Sequence, residues 1–165
     1  MRIERLSPAS YRDLIQPDRV HGSLYTEPYV FEDELDKIFS RGWVFVAHDS
    51  ELPNPGDYIT RTVGRQHFLV VRGQDGAVNV FINRCQHRGN LVCNKAVGNA
   101  KNFTCPYHGW VYDSAGRNVE IKDRATGAYP PALFLANSAL MLSRRRCAMT
   151  FPDASTSVYS RRRNS

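Results

Sequence analysis

Apolar and polar positions follow two different rhythms along this chain. Between Pro28 and Arg41, Phe31, Leu35, Ile38 and Phe39 recur at i, i+4, i+7 and i+8, the spacing that lines up apolar side chains on one helical face. Pro28 suits a first helical turn, and Gly42 suits the stop. Glu32, Asp33, Glu34 and Asp36 place negative charge toward the positive end of the helix dipole. The pattern therefore predicts a helix over 28–41 whose Phe31, Leu35, Ile38 and Phe39 face packs inward. Residues 1–25 are polar and broken by Pro8 and Pro17, which predicts irregular chain.

After Gly42 the period falls to two and turn residues punctuate it. Trp43–Ala47, Tyr58–Val63, Phe68–Arg72 and Val78–Ile82 read as strands, joined at Pro53–Gly56, Gly64–Arg65 and Gly73–Gly76. Phe103–Thr104 and Val111–Tyr112 read as shorter strands around the loop 105–110, with a turn at Asp113–Gly116. The fold class is mainly β: a small antiparallel barrel or sandwich with an N-terminal helix. Three regions follow: an N-terminal segment and helix over 1–42, a β domain over 43–131, and an irregular, divergent tail over 132–165. Within the tail, Ala132–Leu142 could form one short helix.

Charge changes this picture little. The formal net charge is +6, but residues 133–165 hold six arginines and one acidic side chain. The body is close to neutral, so the charge belongs to the tail. A basic stripe on a folded face would mark a nucleic-acid partner; two Arg triplets in a tail do not. No run approaches the roughly 18 apolar residues of a membrane span, and Met1–Leu6 carries no apolar signal segment. The expectation is a cytoplasmic protein without a membrane partner.

The candidate chemistry lies in two loops. Cys85-Gln86-His87-Arg88-Gly89 is followed, after 17 residues from His87, by Cys105-Pro106-Tyr107-His108-Gly109-Trp110. The pairing C-x-H with C-x-x-H favours metal ligation over disulfides in a reducing compartment. Each loop sits at the tip of predicted β structure, so the two can approach as fingers and present Cys85, His87, Cys105 and His108. The same donors could hold zinc, although zinc loops usually space two cysteines as C-x₂₋₄-C. Cys93 reads as a small packed residue, and His21, His48 and His67 as ordinary structural histidines. Arg84 and Arg88 flank the first loop as either a docking surface or solvated cations.

These loops resemble those of the Rieske domain in aromatic-ring-hydroxylating dioxygenase large (alpha) subunits. The similarity begins at His21-Gly22-Ser23-Leu24-Tyr25. It runs through Gly42-Trp43, Cys85–Arg88 and Gly109-Trp110-Val111-Tyr112-Asp113, and fades near Pro131. Residues 122–130 resemble the benzoate, anthranilate and salicylate-like group. The resemblance implies a [2Fe–2S] cluster with Cys85 and Cys105 on the inner iron and His87 and His108 on the outer one. Two imidazoles in place of two thiolates raise the potential above all-thiolate ferredoxins and place ionisable groups beside the redox centre. Gly89 and Gly109 are expected to turn the loops and aim N–H groups at the sulfurs. Respiratory Rieske proteins carry a disulfide between positions occupied here by Asn90 and Tyr107, and a Ser where this chain has Trp110. That implies a potential near the low end of the roughly −150 to +300 mV range.

The resemblance further implies an NADH-dependent reductase or ferredoxin as partner, and other oxygenase subunits. The large subunits also hold a mononuclear Fe(II) in a 2-His-1-carboxylate triad, for which this sequence offers no histidine after His108. No catalytic residue is assigned: the chain is expected to transfer electrons without hydroxylating. The change of texture beyond about Leu133 reads as a shifted reading frame ending the protein early, with a genuine short basic-tailed protein as alternative. A free-standing Rieske ferredoxin-like carrier is the second functional reading, and a zinc-binding interaction module the third.

Overall fold

The computed structural model describes residues 8–127, 140 and 146–150. The chain divides after Trp43 into two compact units.

The first unit is more regular than its polar composition predicts. Helix α1 (Pro8–Asp13) leads into a hairpin of β1 (Ile15–Gln16) and β2 (Arg19–Val20), with Ile15 opposite Val20. Pro17 and Asp18 supply its turn, both suited to that role, and His21 N–H closes it on Leu14 O at 2.8 Å. A single turn, α2 (Ser23–Thr26), precedes α3 (Pro28–Glu34), which begins at Pro28 as predicted.

The predicted inward face of that helix needs correction. Over Leu35–Phe39 the winding widens, and Ser40 N–H reaches back five residues to Leu35 O at 3.0 Å. Val30, Asp33 and Leu35 are buried, whereas Phe31 and Ile38 are 53% and 56% exposed. Asp33 wins its inner position because it is partnered. The Tyr11 hydroxyl donates to it at 2.8 Å and Lys37 Nζ at 2.5 Å, the condition under which a carboxylate tolerates burial.

The second unit carries the β structure. Strand β3 (Trp43–His48) ends in a 3₁₀ turn at Asp49–Glu51, where His48 Nδ1 accepts from Ser50 N–H at 3.2 Å. Strands β4 (Asp57–Val63), β5 (Gln66–Arg72), β6 (Val78–Ile82) and β7 (Val97–Asn99) form an antiparallel sheet in the order β6-β5-β4-β7. Register is set by tight turns: Val63 pairs Gln66 across Gly64–Arg65, and Arg72 pairs Val78. A second antiparallel sheet has the order β10-β9-β8, from β8 (Asn102–Thr104), β9 (Val111–Asp113) and β10 (Asn118–Glu120). The sequence pattern places β3–β6, β8 and β9 within two residues; β7 and β10 lie outside it. Strand β11 (Arg146–Thr150) pairs with β3, so part of the region read as irregular tail is a strand. Of the helix considered at 132–142, all but Leu140 lies outside the described residues.

Phe68 to Val71 on β5 are all buried, as expected of a strand covered on both faces. One core cluster draws Tyr58, Leu69, Val71 and Phe81 from the first sheet and Phe103 and Tyr112 from the second, together with Cys85, Cys105, Trp110, Ile121 and Leu140. Tyr58 and Phe103 meet edge to face, ring centres 5.2 Å apart. The turn after β9 is fixed on β6. Asn79 Nδ2 donates to Ser114 O at 3.1 Å. Gly116 (φ +79°) lies so close that an added Cβ would fall 2.4 Å from Phe81. The second sheet is thereby held against the first. Among the described residues no helix is long and apolar enough to cross a membrane.

Candidate metal centre

The two predicted loops are built on one hydrogen-bonded frame. In the first, Cys85 N–H donates to Asn90 O at 2.7 Å and Gly89 N–H to Cys85 O at 3.0 Å. In the second, Cys105 N–H donates to Trp110 O at 2.8 Å and Gly109 N–H to Cys105 O at 3.0 Å. Each frame closes through glycine at positive φ, +77° and +70°, a region where L side chains are strained. The expected turns are therefore present, but these glycine N–H groups serve the cysteine carbonyls rather than the sulfurs.

Both cysteines are buried, at 3% and 2% exposure. Burial pushes the Cys85 thiol up. The Tyr112 hydroxyl and the His87 backbone N–H pull it down, and the neighbouring Cys105 thiol pushes it up again. The Tyr112 hydroxyl accepts from Gln86 N–H at 3.1 Å and lies 3.2 Å from Cys85 Sγ. Toward a thiolate, which can only accept, the hydroxyl is the donor. Tyr112 itself is pushed up by burial and by Cys85. Asn90 Nδ2 lies 3.9 Å from Cys105 Sγ and 2.9 Å from Leu91 O. Trp110 brings no hydroxyl, yet the Tyr112 hydroxyl lies beside the Cys85 sulfur.

The imidazoles meet at the tips. His87 and His108 have ring centres 4.5 Å apart, inclined at 65°. His87 stacks on the buried Trp110, ring centres 5.1 Å apart and planes within 6°; His108 lies against Tyr107 at 3.8 Å. His87 is pushed down by burial first, then by His108 and Arg88. The neutral imidazole that a metal needs is the favoured form.

Asn83 supports the first finger from behind, a role that sequence reasoning did not assign. Its Oδ1 accepts from Val92 and Cys93 N–H at 3.0 Å each, and its Nδ2 donates to Cys93 O at 2.7 Å. Asn83 directly follows β6 and reads in the sequence as an ordinary polar residue; only the fold brings it to residues 92–93. Cys93 packs against the core and bonds Lys95 O through sulfur at 3.6 Å. His21 and His67 bond Ser23 and Thr62, structural roles like that of His48. Arg84 and Arg88 are exposed, Arg84 lying over Gly89.

The donor set suits a two-iron cluster. Two buried thiols and two imidazoles with ring centres 4.5 Å apart supply two sulfur and two nitrogen donors, the set that a centre with Cys₂ on one iron and His₂ on the other requires.

Comparison with known proteins points the same way. Residues 42–135 match the family model for the Rieske [2Fe-2S] domain. The alpha subunit of chlorobenzene dioxygenase from Cupriavidus sp. (strain PS12) is 44% identical over 103 residues, covering 62% of this chain and 23% of that protein. The large subunit of 2-halobenzoate 1,2-dioxygenase from Burkholderia cepacia is 37% identical over 133 residues, 74% of this chain and 29% of that protein. A crystal structure of naphthalene 1,2-dioxygenase from Rhodococcus sp. bound to indole superposes with a TM-score of 0.67. It is 34% identical and covers 81% of this chain and 30% of that one. The chain spans about a quarter of the length of the curated relatives it matches.

Proposed function

This chain belongs to the Rieske [2Fe-2S] domain family, and we propose that within it Cys85 and Cys105 bind the inner iron and His87 and His108 the outer iron. The observation that supports this assignment is the repeated loop frame, which carries two buried thiols and two imidazoles whose rings meet. When bound, the cluster supplies a site that takes up and releases one electron. The residues around it do the rest. Burial of both cysteines and of Trp110 excludes water from the sulfur side. Tyr112 favours thiolate at Cys85, partly countering the burial that favours the thiol. The two histidines keep partial contact with solvent, so the nitrogen side is the accessible one.

The role we assign is the electron-transfer portion of an aromatic-ring-hydroxylating dioxygenase large subunit. An NADH-dependent reductase or ferredoxin would deliver electrons, and a mononuclear iron held by residues other than these would receive them. The relatives' names support this over a free-standing carrier, since they are alpha and large subunits. An alignment of 133 residues also extends beyond the family-model match at 42–135. The named relatives act on chlorobenzene and 2-halobenzoate, which makes an aromatic ring the substrate class proposed for the whole protein.

The test is iron and acid-labile sulfide analysis of the purified chain, with EPR of the reduced sample. Equal iron and sulfide with a rhombic signal of low average g is expected. A colourless protein carrying zinc overturns the assignment.

A further inference from the structure

The two fingers are clasped by reciprocal contacts. Tyr112, which follows the second finger, reaches the Cys85 sulfur of the first at 3.2 Å. Asn90, which closes the first finger, reaches the Cys105 sulfur of the second at 3.9 Å. Each sulfur is thus met by a side chain from the opposite finger or from the strand that follows it.

We propose that Asn90 is a positioning residue for the centre: its side-chain amide donates to Cys105 Sγ, joining the fingers without a covalent bond and stabilising the reduced state. The inference rests on Cys105 being an iron ligand. Three observations orient the amide. Asn90 O is held by Cys85 N–H at 2.7 Å, which fixes the backbone. Asn90 Nδ2 also donates to Leu91 O at 2.9 Å, which identifies the nitrogen and leaves its second hydrogen available. A ligating thiolate is acceptor only, so the nitrogen and not Oδ1 must face it. The contact is long, and its effect is correspondingly modest. A donor on a ligand sulfur matters most in the more negatively charged reduced state, so it raises the potential.

The first measurement uses the unmodified protein. With asparagine selectively labelled with ¹⁵N, pulsed EPR of the reduced centre should show a weak nitrogen coupling. Its absence in fully loaded protein overturns the proposal. The second measurement uses variants. Asn90→Leu keeps the approximate size and removes the donor; it should shift the reduction equilibrium toward the oxidised form by about two- to threefold, the scale of a weak hydrogen bond. Asn90→Asp also removes the donor and adds negative charge, so its shift should be larger in the same direction. A purely structural role would lower thermal stability while leaving the potential unchanged, and that result overturns the proposal. The ligand reading fails separately: Cys105→Ala retaining full iron and sulfide would refute it whatever Asn90 does.

Discussion

Cys85–Asn90 and Cys105–Trp110 share a backbone, yet they support their histidines in opposite ways. Each frame bonds its cysteine N–H five residues ahead and its cysteine carbonyl to a glycine four residues ahead. Within that frame the histidine stands two places after Cys85 but three places after Cys105. Tyr107 therefore occupies the place that His87 holds in the first finger, and Arg88 the place of His108. The backbone frame sets the sulfurs, while the order of residues within it sets the imidazoles. A one-residue offset lets two similar loops face each other and still bring both rings together at 4.5 Å. Support differs as well. His87 leans on Trp110, which is 1% exposed and belongs to the core. His108 leans on Tyr107, which is 59% exposed.

The largest expected effect tests what the fingers have in common. Cys85→Ala and Cys105→Ala should each reduce bound iron and labile sulfide to background, because either change removes half the sulfur side. Stoichiometric iron in one variant and none in the other would break the equivalence of the two frames. The next effect tests what separates them. Trp110→Ala should cost about 3–5 kcal/mol, the range for deleting a large buried aromatic. Tyr107→Ala should stay within about 0.5 kcal/mol, as for an exposed position. Urea unfolding of the two variants measures the contrast, and similar losses would show that the His108 side is as deeply packed as the His87 side.

Why one finger rests on the core was not legible in the sequence, although the candidate ligands were. Cys85, His87, Cys105 and His108 were readable because their chemistry lies in local spacing, and β3–β6 because alternation is local too. What escaped depends on residues brought together by the fold. The Tyr112 hydroxyl meets a sulfur 27 positions away, and Asn83 bonds chain ten positions on. Gly116 answers to Phe81 rather than to its own turn alone. Over residues 28–41 the apolar period pointed to Phe31 and Ile38. A widened turn and the partnering of Asp33 by Tyr11 and Lys37 changed which side chains lie inside.

A smaller effect compares the glycines that close the frames. Both hold positive φ, so alanine at either should cost about 1–2 kcal/mol from left-handed backbone strain. Gly89→Ala should cost more than Gly109→Ala. Its Cβ would fall 3.0 Å from the Arg84 guanidinium, which must move aside, whereas at Gly109 the nearest Lys122 atoms are 3.5 Å away. Chemical denaturation resolves this difference, and the reverse order would mean that Arg84 swings away freely.

The smallest effect ranks the two sulfurs. Tyr112→Phe removes the hydroxyl that touches Cys85 Sγ and leaves Gln86 N–H without its acceptor. About 1 kcal/mol of stability should be lost, the scale of one net hydrogen bond. The midpoint potential should fall, because a donor on sulfur favours the reduced, more negative centre. The hydroxyl contact at 3.2 Å is shorter than the amide contact at 3.9 Å, and a closer donor acts more strongly on the same charge. Tyr112→Phe should therefore lower the potential further than Asn90→Leu. A mediated redox titration of both variants measures the order. If Asn90→Leu shifts the potential more, the charge gained on reduction weighs more heavily on the second finger's sulfur than on the first's.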